Sequence, residues 1–171
     1  METRGNREET GVTFRAPRIE DATAIYDLIR RSPPLDLNSL YCYLLLCDHF
    51  RNTCITAERE SVIVGFISAY IPPEKPGTIF VWQVAVDESV RNRSLATTML
   101  EDLLERKSLS HARCLETTVT PSNRASMEFF RSIARTRDAA FSTEPCYSEE
   151  LFGTEDHEAE LLIRIDPLAR P

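Results

Sequence analysis

The chain contains no run of eighteen or more apolar residues, so no segment is expected to cross a membrane as a helix. It also has no surplus of basic residues. Twenty Lys and Arg against 27 Asp and Glu give a formal charge of −7, which argues against nonspecific nucleic-acid binding, where phosphate neutralisation needs excess positive charge. C-x-x-C pairs are absent, and the five cysteines (Cys42, Cys47, Cys54, Cys114 and Cys146) are odd in number. Free thiols in a reducing compartment follow, rather than a disulfide framework. Histidine is scarce. His157 sits between acids but has no second histidine at a ligating spacing, so no metal is expected. There is no visible Ser–His–Asp arrangement, internal repeat, low-complexity tract or domain linker. The polar first residues lack the apolar stretch of a signal peptide, so residues 1–11 are expected to be a flexible leader and 168–171 a tail. A cytoplasmic address is the default.

What is present is the composition of one globular domain: 171 residues, 42% hydrophobic and 27% charged, with the folded part expected over residues 12–167. Val12–Ala16 reads as a first strand. Glu20–Arg31 carries Ala22, Ile25, Leu28 and Ile29 at helical spacing and is stopped by Pro33-Pro34. Asn38 is a candidate cap for a second helix with Tyr41, Leu44, Leu45 and Phe50 on its apolar side. Strands follow at Thr53–Glu58 and Ser61–Tyr70, joined by a turn at Arg59-Glu60, and then at Thr78–Asp87 after a breaker cluster. From Arg93 to Lys107, Leu95, Ala96, Met99, Leu100, Leu103 and Leu104 share one helical face. A strand at Arg113–Thr120, a helix from Pro121-Ser122 to about Ala134, and strands at Arg135–Ser142 and Glu158–Ile165 complete the order β-α-α-β-β-β-α-β-α-β-β. That order argues for an α/β domain around a largely antiparallel sheet.

Val81–Glu105 is the most informative segment. A strand ending in Val84-Ala85-Val86-Asp87 runs through a short loop into an amphipathic helix that opens on Arg91-Asn92-Arg93-Ser94-Leu95-Ala96. Main-chain N–H groups and the dipole at a helix N-terminus favour an anion, and two arginines add charge for a pyrophosphate. The segment resembles the core of the GNAT acetyltransferases, whose Gln/Arg-x-x-Gly-x-Gly/Ala pattern these six residues fill, with Ser94 where a glycine is usual. Asn123-Arg124-Ala125-Ser126-Met127-Glu128-Phe129-Phe130 is similar to a second GNAT stretch. The resemblance implies the GNAT fold, a mixed, mostly antiparallel central sheet flanked by helices, with acetyl-CoA as co-substrate. It places Val84, Ala85, Val86 and residues 91 to 96 on the acetyl-CoA, Asn123 on the pantetheine arm and Phe130 beside the thioester sulfur. A tyrosine often serves as general acid at that last position. Phenylalanine has no exchangeable proton to give.

Five further blocks are similar to one branch of that family, the diaminobutyrate acetyltransferases of ectoine biosynthesis. They begin at Arg15, Ser32, Trp82, Glu116 and Phe152, and the resemblance spans roughly residues 12 to 167. It implies a homodimer and transfer of acetyl to the 4-amino group of L-2,4-diaminobutyrate. The residues suit a small diamino acid on their own terms, because two ammonium groups call for carboxylates. Candidates are Asp36, Glu116, Asp156 and Glu158, with Trp82 as a flat apolar wall and a cation–π partner. All but Glu116 have plainer alternatives: Asp36 as a cap near Asn38, Trp82 as core, and the acids between Glu144 and Glu160 as a solvated loop. Glu116 lies in a β-rich, half-buried run and is the better candidate. Direct transfer in a ternary complex is expected, with main-chain N–H groups near Val84 on the oxyanion. The base that deprotonates the ammonium is sought among Glu116, Glu158 and His157. Two other functions fit the same motifs: a GNAT enzyme for another small amine or polyamine, and a CoA-binding regulatory domain without turnover.

Overall fold

The computed structural model describes residues 11–90, 94–153 and 157–168. The expected leader (apart from Gly11), most of the tail, and Arg91, Asn92, Arg93 and Asp156 lie outside them. The element order matches the expected one: β1 Val12–Arg15, α1 Ala22–Arg30, α2 Leu40–Asp48, β2 Ile55–Arg59, β3 Val62–Tyr70, β4 Thr78–Val86, α3 Leu95–Leu104, β5 Cys114–Val119, α4 Arg124–Thr136, β6 Ala140–Tyr147 and β7 Glu160–Asp166. The strands form one seven-stranded sheet in the order β1-β2-β3-β4-β5-β7-β6. β1–β2, β2–β3, β5–β7 and β6–β7 pair antiparallel, and β4–β5 pair parallel.

By its contacts the chain divides into two compact units. The first runs through Tyr70 and adds Gln83–Ser110, and the second joins Ile71–Trp82 to the chain from His111 onward. In the first, Ala22, Ile25, Leu28 and Ile29 of α1 are buried against Tyr43, Leu46 and Cys47 of α2 and Phe66 of β3. Apolar side chains at this spacing must share a face of a 3.6-residue helix, and burying them is what makes a nine-residue helix stable. α3 packs on β2 and β3, and Gly65 permits the approach: a Cβ there would stand 2.8 Å from Met99 Sδ and 3.1 Å from Ala57 Cβ. In the second unit α4 packs on β6 and β7 and buries Phe130, Ile133 and Ala134, while Ile163 and Ile165 of β7 are fully buried.

Four local expectations are corrected. Ser39, rather than Asn38, caps α2, its hydroxyl accepting from Cys42 N–H at 3.3 Å. The buried face of that helix is Tyr43, Leu46 and Cys47, whereas Tyr41 and Phe50 are exposed. α2 is apolar nearly all round, so spacing alone does not single out a face. The β2–β3 turn is centred on Glu60 and Ser61, both at positive φ as a two-residue hairpin loop requires, one residue beyond the expected pair. Finally, α4 runs on to Thr136 and β6 begins at Ala140. No Gly or Pro interrupts the helix before Asp138, which takes the left-handed conformation (φ 51).

Candidate active site

In the first unit, β4 ends at Val86 and the chain turns on Asp87. The Asp87 carboxylate accepts from Ser89 N–H at 2.9 Å and lies 3.4 Å from Arg31 Nη2. Hydrogen bonds from Ser89, its hydroxyl first and then its N–H, hold the Asp87 carboxyl below its ordinary range, with Arg31 adding to the effect. A single 3-10 turn, Glu88–Val90, leads toward the motif. Ser94 is the N-cap of α3 with φ −91 and ψ −27, an ordinary right-handed conformation. The usual glycine is therefore not needed here for its dihedrals. Thr98 closes the first turn, its N–H and its hydroxyl both donating to Ser94 O at 2.8 Å. The first main-chain N–H groups of any α-helix have no acceptor within the helix, so a helix starting at Leu95 fits a phosphate ligand such as the pyrophosphate of CoA.

Asp36 is also in the first unit, exposed in the loop between α1 and α2. It does not cap α2. Its carbonyl oxygen accepts from Gln83 Nε2 at 2.7 Å, and the Gln83 Oε1 accepts from Tyr43 hydroxyl at 3.3 Å. Tyr43 Oη accepts in turn from Asn38 N–H at 3.3 Å. Gln83 is 3% exposed, and Tyr43 is fully buried.

The second unit holds the remaining candidates. Trp82 is 42% exposed, which excludes the plain-core reading and leaves its ring available to a ligand. The parallel ladder of β4 with β5 runs only from Thr78↔Cys114 to Phe80↔Glu116, although β4 continues to Val86 and β5 to Val119. Glu116 is 2% exposed and both of its oxygens are engaged: Oε2 accepts from Lys75 Nζ at 2.7 Å and Oε1 from Arg164 Nη1 at 2.8 Å. Arg164 Nη2 also reaches Asp166 at 3.0 Å. The hydrogen bond to Glu116 holds the Lys75 ammonium above its ordinary pKa, and the bond to Asp166 does the same for Arg164, with smaller attractions to Cys114, Asp166 and Glu116.

Asn123 caps α4 through its side-chain oxygen, which accepts from Ser126 N–H at 3.1 Å, leaving its NH2 as what it has to offer a ligand. Phe130 is buried with its ring edge-to-face on Phe129, centroids 5.0 Å apart. His157 stacks on Phe152 at 3.9 Å, and its Nδ1 is 2.6 Å from Glu158 O. The Glu158 side chain is exposed and accepts a hydrogen bond from the Ser122 hydroxyl. Asp36 thus shares a hydrogen-bonded cluster with Gln83 and Tyr43, Glu116 one with Lys75 and Arg164, and His157 contacts the Glu158 carbonyl.

Burial pushes all five thiols above the ordinary cysteine value, Cys47 and Cys54 to about 12. None is poised as a thiolate nucleophile. Sequence reasoning missed Tyr43, Lys75, Gln83, Ser122 and Arg164. Gln83 carried a signal, a lone polar residue in the apolar run Val81–Val86, and so did Arg164 in Glu160–Asp166. Lys75, in a breaker cluster, carried none.

Residues 22–134 match the acetyltransferase (GNAT) family, and the chain belongs to it. Two relatives narrow the class. The L-2,4-diaminobutyric acid acetyltransferase of Bordetella parapertussis is 48% identical over 92% of this chain and 86% of its own length. That of Halalkalibacterium halodurans is 43% identical over 94% and 84%. Among solved structures, the diaminobutyrate acetyltransferase of Paenibacillus lautus, in complex with its substrate L-2,4-diaminobutyric acid and coenzyme A, superposes with a TM-score of 0.89. It is 43% identical and covers 94% of this chain and 97% of its own.

Proposed function

We propose that this chain transfers the acetyl group of acetyl-CoA to the 4-amino group of L-2,4-diaminobutyrate, a step of ectoine biosynthesis, and that it works as a cytoplasmic homodimer. The observation that carries the substrate is the similarity, along almost the whole chain, to an enzyme whose structure holds that diamino acid and coenzyme A. Acetyl-CoA supplies an activated acetyl thioester. The start of α3 receives its pyrophosphate, the Asn123 NH2 its pantetheine arm, and main-chain N–H groups near Val84 the thioester oxygen. The amine attacks the thioester carbonyl directly, the carbon–sulfur bond breaks, and CoA leaves as a thiol after taking up the proton the amine loses. Direct attack is consistent with five cysteine thiols whose pKa values are all raised.

An alkyl ammonium of pKa ~10 is neutral about once in 10³ molecules at pH 7, an effective cost of about 4 kcal/mol, so a base or water relay must take a proton. Glu158 is the better base of the two glutamates, because it is exposed and carries one hydrogen bond, whereas Glu116 is buried with both oxygens engaged by cations. Asp36 and Trp82 bind the second ammonium and the methylenes. Asp156 and His157 complete the acceptor-binding set, and Phe130 lines the sulfur without giving it a proton.

Acetyl-CoA-dependent thiol release tests this reading, with L-2,4-diaminobutyrate compared with ornithine, lysine, 2,3-diaminopropionate and spermidine. Turnover confined largely to diaminobutyrate is expected, with Glu158→Gln slowed by about 10²-fold or more and Glu116→Gln much less. Preference for another amine would discard the substrate. Acetyl-CoA binding with no turnover on any amine would discard the enzyme.

A further inference from the structure

Gln83 occupies an inward position of β4 between two buried neighbours on the same face, Val81 at 1% and Ala85 at 2% exposure. A carboxamide in such surroundings must have its hydrogen bonds satisfied, because an unpaired one loses its water without replacement. Both ends of this amide are used on one stretch of chain. Nε2 donates to Asp36 O at 2.7 Å, and Oε1 takes the hydroxyl proton of Tyr43, whose oxygen holds Asn38 N–H. The loop between α1 and α2 is therefore gripped on either side of Leu37, at residue 36 directly and at residue 38 through Tyr43. The strand itself is held separately, since Gln83 N–H donates to Ser68 Oγ at 3.1 Å.

We propose that Gln83 is a positioning residue for acceptor specificity: its side-chain amide sets where the Asp36 carboxylate stands, and through it the affinity for an ammonium-bearing acceptor. The proposal rests on the reading of Asp36 as a ligand of the diamino acid. Both ends of the Gln83 amide are spent on the loop, and its main-chain anchor is independent of its side chain. Loss of the amide therefore acts on acceptor binding and leaves the acetyl-donor side as it was.

Three variants separate the parts. Gln83→Met removes both ends of the amide at nearly constant volume. Gln83→Glu keeps an acceptor for Tyr43 but has no donor for Asp36 O. Tyr43→Phe keeps the Asp36 bond and releases Asn38. Steady-state kinetics of the purified full chain should show KM for diaminobutyrate raised about tenfold in both Gln83 variants and two- to threefold in Tyr43→Phe, with KM for acetyl-CoA unchanged in all three and kcat within about twofold. In an Asp36→Ala background the Gln83→Met effect on KM should largely vanish, because the carboxylate it places is gone. Amide hydrogen exchange over residues 33–39, which needs no substrate, should accelerate in Gln83→Met by tenfold or more.

Equal shifts in both KM values, a fall in melting temperature with neither KM changed, or a Gln83→Met effect undiminished by Asp36→Ala would each overturn the proposal. Should Gln83→Met not fold, Tyr43→Phe with an unaltered KM for the diamine overturns it equally. A wild-type chain that ignores diaminobutyrate while exchange at 33–39 still responds to Gln83→Met would point instead to a wrong acceptor, leaving the loop grip standing and sinking the substrate reading.

Discussion

Two of the polar side chains buried in strands, Gln83 in the first unit and Glu116 in the second, are held in opposite ways. Gln83, in the first unit, is a neutral amide whose partners are a main-chain carbonyl and a buried tyrosine hydroxyl. Glu116, in the second, is an acid gripped by Lys75 and Arg164, whose side chains are 50% and 44% exposed. The neutral arrangement fixes geometry at little electrostatic risk, since an amide costs about 1–3 kcal/mol when left unpaired. The ionic one ties a loop and two strands together, but a buried charge that loses its counter-ions has nowhere to go. The loop carrying Asp36 is thus held by a group with no charge of its own.

The comparison is broken most severely by stranding Glu116. Lys75→Met with Arg164→Met removes both cations around a buried acid and should cost about 3–5 kcal/mol in urea unfolding. A loss under about 1 kcal/mol would mean that the cluster behaves as an ordinary surface pair.

The first unit has an ionic cluster too, and it sharpens the contrast. Arg15 Nη1 lies 2.6 Å from Asp21 Oδ2, and Arg15 Nη2 is 2.7 Å from Glu58 Oε2. Burial tends to raise the Asp21 carboxyl, but hydrogen bonds from Arg15 and from Arg18 N–H outweigh it, so the folded-state pKa lies below the ordinary 3.8. The unfolded chain then binds the proton more readily. This contribution is complete above about pH 4 and is lost as pH falls through the folded-state value. Asp21→Asn should lower stability by about 1.5–3 kcal/mol at neutral pH and flatten the fall below pH 4; identical acid limbs for the two proteins would exclude Asp21 as its source.

The smallest effect belongs to the neutral cluster. Tyr43→Phe should cost about 1 kcal/mol, and that cost should be the same at low and high salt, unlike any deficit arising from charge. A salt-dependent penalty would show that charge reaches the Gln83 cluster after all.

The sequence made the fold legible wherever apolar spacing was selective. α1 and α3 bury nearly the residues their periodicity names, with Ala96 the one that stays partly exposed. α2, Leu40–Asp48, offers Leu, Tyr or Cys at eight of its nine positions, so its buried face is decided by what it meets rather than by its pattern. In the candidate site, Trp82, Glu116 and Glu158 were legible as residue types, but their surroundings were not. Glu116 reads as an available acid until Lys75 and Arg164, far away in the chain, are seen to close on it. Asp36 is legible as a charge, while the bond from Gln83 to its main-chain carbonyl is one that no side-chain pattern records.

Gly65 lies under α3, with Met99 of that helix passing directly over the place where a side chain would begin. A methyl group added at Gly65 would press on the Met99 thioether, the flexible end of a fully buried side chain, and what that side chain cannot absorb passes to the helix. Met99 follows Ser94 by little more than one turn, and the amides that open the helix travel with it. The clearance of the α3 N-terminus above its sheet is thus gauged by an absent atom on another strand, outside the motif that opens the helix.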